Sequence, residues 1–163
     1  MHSPLDRPSA APAPRTLIDV LSATAAAHPD AIAIDDGVAP LSYSDLSAYV
    51  AQTAKVLQDA GVRRGDKVGV RLVSGTRELY VAILSIIAAG AAYVPVDVDD
   101  PDERALLVFG EAKVRGTIEG DGEFVLAADG EQPAGEPVDL FEAGAPHPES
   151  SSLDELNRPH LDD

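Results

Sequence analysis

The fold is decided by Leu79-Tyr80-Val81-Ala82-Ile83-Leu84-Ser85-Ile86-Ile87-Ala88-Ala89-Gly90-Ala91-Ala92-Tyr93-Val94-Pro95-Val96-Asp97. From Leu79 to Val96 there are 18 residues and no charge. A helix of that length could span a bilayer. Gly90 and Pro95 interrupt the run, and Tyr93-Val94-Pro95-Val96 has the aromatic and β-branched character of a strand. A buried helix closed by Gly90, followed by a buried strand over Ala92–Val96, explains the run without lipid. The expected inner face of the helix is Leu79, Ile83, Ile86 and Ile87. Because it is apolar on nearly every side, this helix expects neighbours all around it.

The pattern continues in both directions. Upstream, Lys67–Val73 alternates, with Val68, Val70 and Leu72 on one face, as a strand does. Gly61 stops a preceding helix whose inner face is Leu46, Val50, Thr53 and Leu57 and whose expected N-cap is Ser42, with Asp45 three residues on. Before it, Ala31–Asp35 reads as a short strand and Asp36-Gly37 as a turn. Thr16 caps a first helix carrying Leu17, Ile18, Leu21 and Ala25, which ends at His28-Pro29-Asp30. Downstream, Pro101 suits the first turn of a helix, with Asp102 and Glu103 beside its positive end. Val114–Ile118 reads as one more strand. Strands alternate with helices throughout, so the fold class is α/β, with helices packed on a mainly parallel sheet.

The 163 residues suit one domain with a modest core. There is no Cys, which excludes disulfides, thiol nucleophiles and cysteine-based zinc sites. Twelve Lys and Arg stand against 28 Asp and Glu, a formal charge of −16. Such a balance argues against nucleic acid or an anionic membrane as a partner, since both need clustered positive charge. The charge is uneven: residues 116–163 hold 13 acids and the single base Arg158. That part has few large apolar residues to offset its ordering entropy. The expected organisation is therefore a disordered Pro- and Ala-rich leader over 1–15, a folded region over 16–118, and an acidic, weakly ordered tail over 119–163. The leader lacks the apolar run of a secretory signal, so a cytoplasmic location is expected.

No spacing of residues points to catalysis. Asp97-Val98-Asp99-Asp100-Pro101-Asp102-Glu103 is the densest acidic cluster. It fails as an EF-hand loop, because the required Gly falls on Asp102 and the bidentate Glu on Val108. Asp97 and Asp99 after a buried strand resemble the metal motif of nucleotide-sugar glycosyltransferases, but helix capping and a solvated loop explain the acids more simply. Ser74-Gly75-Thr76 lacks the glycine spacing and the Lys of a P-loop and reads as a plain turn. The histidines His2, His28, His147 and His160 have no ligand spacing. No catalytic, cofactor-binding or metal residue is assigned.

Two segments together resemble one family. Leu41-Ser42-Tyr43-Ser44-Asp45-Leu46 is similar to the first core motif of adenylate-forming enzymes, Leu-Thr/Ser-Tyr-x-Glu-Leu, with Asp45 in place of the Glu. The stretch Ile87–Asp97, with Gly90, Tyr93, Pro95 and Asp97, is similar to the second motif, with Ala88 in place of its usual Lys. Pro101-Asp102-Glu103-Arg104 matches the Pro-x-x-Arg that follows, and Gly61–Val68 is similar to the family's Gly-Val-x-x-Gly-Asp-x-Val. The resemblance covers about residues 16–118 and is nearest to the amino-acid adenylation domains of nonribosomal peptide synthetases.

This resemblance implies the N-terminal part of an adenylate-forming domain. The family uses ATP and Mg²⁺ to join a carboxylate to AMP, releasing pyrophosphate. It then passes the acyl group to a phosphopantetheine carrier or to coenzyme A. The family's phosphate loop, its adenine- and ribose-binding motifs and its C-terminal Lys are not found in these 163 residues. The chain alone is therefore expected to be inactive and to bind no cofactor. It could be half of a split enzyme docking on a complementary adenylation-domain fragment or on peptide synthetase modules, or a non-catalytic accessory protein. The motif positions Leu41, Ser42, Tyr43, Asp45, Leu46, Gly90, Tyr93, Pro95, Asp97, Pro101 and Arg104 are expected to shape the fold rather than to do chemistry.

Overall fold

The computed structural model describes residues 15–127 and 135–143. Helix α1 (Leu17–Ala27) starts in a reciprocal capping box. The Asp19 backbone N–H donates to Thr16 Oγ1 at 3.1 Å, and the Thr16 N–H donates to Asp19 Oδ2 at 2.7 Å. Strands β1 (Ile32–Ile34) and β2 (Leu41–Ser42) pair antiparallel as a small separate sheet. Ser42 then caps α2 (Tyr43–Asp59), accepting from the Asp45 N–H at 3.1 Å. Leu46, Val50, Thr53 and Leu57 are all buried on it, as their spacing predicts.

The main sheet begins with β3 (Lys67–Arg71), followed by α3 (Arg77–Ala88), β4 (Ala92–Pro95), α4 (Asp102–Ala112) and β5 (Gly116–Glu119). It continues through β6 (Glu123–Leu126), β7 (Val138–Asp139) and the single turn α5 (Leu140–Ala143). Its order is β4-β3-β5-β6-β7. The pairs β3–β4 and β3–β5 are parallel, whereas β5–β6 and β6–β7 are antiparallel. The sheet is thus mixed rather than mainly parallel. The parallel part follows from the helical crossovers, and the antiparallel β5–β6 pair from a tight return after Glu119 that leaves no room for a crossover.

The chain steps from β3 to β4 in one direction and from β4 back past β3 to β5 in the other. Right-handed crossovers of opposite direction put their helices on opposite faces. Accordingly α2 and α3 cover one face, where Leu57, Val68, Val70, Ala82, Ile86 and Ile118 form the core. On the other face α4 packs Ala105 and Phe109 with Val96. The close fit of α4 depends on Gly69, because a Cβ there would lie 2.6 Å from the Phe109 ring.

Three expectations need correction. Order does not stop at 118. Phe124 on β6 and Leu140 on α5 are fully buried in the main core, and the β5–β6 ladder runs from Gly116 with Leu126 to Glu119 with Glu123. A segment with few apolar residues can be ordered when an existing sheet edge supplies the ladder and each apolar residue lands on the core side. The inner face of α3 is Val81, Ala82, Ser85 and Ile86, rather than Leu79, Ile83, Ile86 and Ile87. Its small residues face inward, which lets the helix approach its neighbours closely. Strand β4 is not buried: it forms the sheet edge, with Ala92, Tyr93 and Pro95 exposed. The expected leader lies outside the described residues except for Arg15, and so does the chain after 143. Among the described residues, no helix is long and apolar enough to cross a membrane.

Candidate functional site

Open α/β sheets bind ligands outside the carboxyl ends of their strands, at the point where successive crossovers diverge to opposite faces. Here that point lies between β3 and β5. The connection leaving β3 is Leu72–Thr76, which leads into α3, and beside it runs Val96–Pro101, which leads from β4 into α4.

Arg71, the last residue of β3, fills this place. Its Nη2 donates to the Asp100 carbonyl at 2.5 Å and to the Val98 carbonyl at 3.4 Å. Its Nε donates to the Asp97 carbonyl at 3.4 Å. Its Nη1 donates to Asp102 Oδ1 at 2.7 Å and has Glu119 Oε2 at 4.0 Å. The side chain is only 14% exposed. The hydrogen bond to Asp102 stabilises the charged form and raises the Arg71 pKa above the ordinary arginine value, against the cost of burial. A planar fork of five donors suits this set of acceptors, whereas an ammonium would not reach them together.

The loop that Arg71 holds is also tied internally. The Asp99 N–H donates to Asp97 Oδ1 at 2.9 Å, the Asp100 N–H to the Asp97 carbonyl at 3.2 Å, and Arg104 Nε to Asp100 Oδ2 at 3.0 Å. Asp97 and Asp99 therefore serve the turn. Among the described residues, no group of three or more His, Asp or Glu is placed to hold a metal ion. The rim of the place carries Asp97, Asp99, Asp100, Asp102 and Glu119, and its cation is committed to protein acceptors.

The motif residues fall into two groups on different elements. Leu41 pairs with Ile34 across the small sheet, Ser42 caps α2, Leu46 is buried, and Asp45 is exposed with its N–H in the cap. Tyr43 opens α2 half-buried, and its N–H donates to the Ala31 carbonyl at 2.9 Å. In the second group, Gly90 takes φ 86° after α3, a conformation that favours glycine, and a Cβ there would crowd Arg64. Tyr93 and Pro95 lie on the β4 edge, Asp97 and Pro101 bound the loop, and Arg104 pairs with Asp100. Among the described residues, no hydrogen bond or ion pair joins the two groups. The residue that sequence reasoning missed is Arg71. Its only signal was a charge directly after the uncharged run Val68-Gly69-Val70.

The chain matches the profile of the AMP-binding enzyme family over residues 21–160. It belongs to that family. Among curated relatives of this AMP-binding domain, gramicidin S synthase 2 of Aneurinibacillus migulanus is 33% identical over 81% of the chain. Malpibaldin synthetase of Mortierella alpina is 36% identical over 74% of it. The chain spans only 3% and 2% of these two proteins. Among solved structures, the N-terminal subdomain of NpsA from Klebsiella oxytoca superposes with a TM-score of 0.61 at 25% identity, covering 73% of the chain and 29% of that subdomain. The nonribosomal peptide synthetase FmoA3 gives a TM-score of 0.67 at 29% identity, covering 87% of the chain and 15% of the other. The AMP-binding chain thus carries the N-terminal part of a nonribosomal-peptide-synthetase adenylation domain.

Proposed function

We propose that the 163-residue chain is scaffold for amino-acid adenylation and does not itself catalyse it. The family's activity is ATP-dependent conversion of a carboxylate to an acyl-adenylate with release of pyrophosphate. In this reading, the groups that neutralise phosphate and align the carboxylate come from polypeptide other than these residues. One observation carries it: the family-motif side chains described above are engaged as caps, turns and edge positions, and the cation at the divergence of the crossovers is bound by the protein itself. The test is amino-acid-dependent exchange of labelled pyrophosphate into ATP by the purified chain. No exchange above the enzyme-free rate is expected across the common amino acids. Exchange that depends on one amino acid contradicts the proposal.

A second reading, half of a split enzyme that docks on a complementary fragment, draws support from the β4 edge, unpaired among the described residues, and from Tyr93 on it, 41% exposed. Its discriminating result is recovery of exchange when a fragment bearing the phosphate loop is added.

A further inference from the structure

We propose that Arg71 is an electrostatic latch on the connection between β4 and α4. Its guanidinium fastens the Asp97–Asp102 segment to the carboxyl end of β3. Loss or screening of its charge frees that segment while the sheet beneath stays formed. This inference rests on the geometry of the loop and not on the proposed scaffold role, so pyrophosphate exchange could be found without touching it.

The argument begins with what holds the segment. The internal bonds of Asp99 and Asp100 both return to Asp97, so they shape a turn without attaching it to anything else. Arg104, in the first turn of α4, binds Asp100 and so ties the segment to the helix that follows it, not to β3. Attachment to the sheet comes from the Val96 N–H, which donates to the Val70 carbonyl at 2.9 Å, and after it from Arg71. Beyond Val96, the described hydrogen bonds that reach from this segment to β3 are those to the Arg71 side chain.

The electrostatics point the same way. Asp97, Asp99, Asp100 and Asp102 crowd six positions, and Glu119 ends the neighbouring strand β5. These carboxylates repel one another, and Arg71 is the cation placed among the loop carbonyls and the Asp102 carboxylate. Its stem is covered, since the side chain is 14% exposed, but Asp102 is 84% exposed. Half of the latch is therefore open to solvent and to salt, which weakens such a pair more than a fully covered one. A bistable element needs a rigid side and a loose side. The ladder supplies the first, and a turn of like charges supplies the second.

Amide hydrogen exchange of the full chain reads the two sides separately. The Asp99 and Asp100 amides report the turn, and the Val96 amide reports the ladder. In Arg71→Met, which keeps the stem and removes the fork, the turn amides should exchange about tenfold faster while Val96 is unchanged. Arg71→Lys should restore the charge but only part of the protection, because one ammonium cannot serve the diverging acceptors. The wild-type chain gives an arm that needs no variant. Raising NaCl from about 0.05 M to about 1 M, where the screening length is roughly 3 Å, should speed the turn amides and leave Val96 alone. Equal exchange at Asp99 and Asp100 in wild type and Arg71→Met, or turn amides indifferent to salt, would overturn the latch. So would Val96 accelerating in step with them, since that would make Arg71 a general support of the sheet.

Discussion

At the residue scale, Asp36 shows a carboxylate whose charge is used to build a turn. It accepts from the Val38 N–H at 3.0 Å and from the Ala39 N–H at 3.4 Å, with Arg77 Nε at 3.9 Å. The Val38 hydrogen bond is the main reason that its pKa is lowered, burial opposes it, and Ala39 and Arg77 assist. A carboxyl whose folded pKa lies below its unfolded value stabilises the fold above the unfolded value and loses that contribution as pH falls through the folded one. The turn joins β1 to β2 and so sets up the Ser42 cap of α2. Asp36→Ala should therefore lower the urea midpoint at pH 7. The gap to wild type should stay constant down to about pH 4 and close below it. Parallel urea titrations of the two chains across that range measure it, and a gap that persists undiminished at the lowest pH would show that the charge plays no part. Asp36 was legible as a turn residue from Asp36-Gly37. Arg71 was not legible as a clamp, because the acceptors it finds lie 26 to 31 residues further along the chain.

At the scale of elements, the sequence was most readable where order is local. The caps Thr16 and Ser42, the buried stripe of α2 and the alternation of Val68, Val70 and Leu72 depend on neighbours within a turn or two, and all stand in the structure. It was least readable where an element is short and made by its partner. Strands β6 and β7 have four and two residues, too few for a period to show, and their order comes from pairing, β6 with β5 and β7 with β6. The edge position of β4 was hidden for the same reason: an apolar run fits a central strand and an edge strand alike. The late elements are fastened to the body by few groups. Leu140 is fully buried, its N–H donates to the Gly122 carbonyl at 3.1 Å, and Tyr49 Oη donates to the Phe141 carbonyl at 2.9 Å. Burial raises the Tyr49 pKa, so this phenol keeps its proton beyond the ordinary tyrosine range. Leu140→Ala should cost about 2–4 kcal/mol, the usual loss for a buried leucine with incomplete collapse around the cavity. Chemical denaturation of the full chain checks this. A cost near zero would return the boundary of the folded region to residue 118.

At the scale of the whole molecule, two opposed features meet. The chain carries a formal charge of −16. It also exposes large apolar side chains at several places, among them Val73, Tyr80 and Tyr93, with Leu106 and Leu107 on the outer side of α4, the last 61% exposed. Scattered apolar residues are ordinary on a protein surface, but an adjacent pair on one helix beside a sheet whose β4 edge is unpaired among the described residues is what folds normally cover. The structural relatives are several times larger, and the chain corresponds to 29% of the NpsA subdomain. Without such a cover, the net negative charge keeps copies apart at low salt, because the repulsion extends about 10 Å at roughly 0.1 M. Salt removes that repulsion without weakening apolar contact. Self-association should therefore rise with ionic strength, opposite to the behaviour of an oligomer held by ion pairs. Sedimentation of the full chain at about 0.05 M and about 1 M NaCl should show the monomer giving way to larger species, together with binding of a hydrophobic dye at both concentrations. Leu107→Lys, which places a charge on the exposed side of α4, should reduce both signals. A chain that stays monomeric at high salt and leaves the dye unbound would mean that these residues do not act as a surface awaiting a partner.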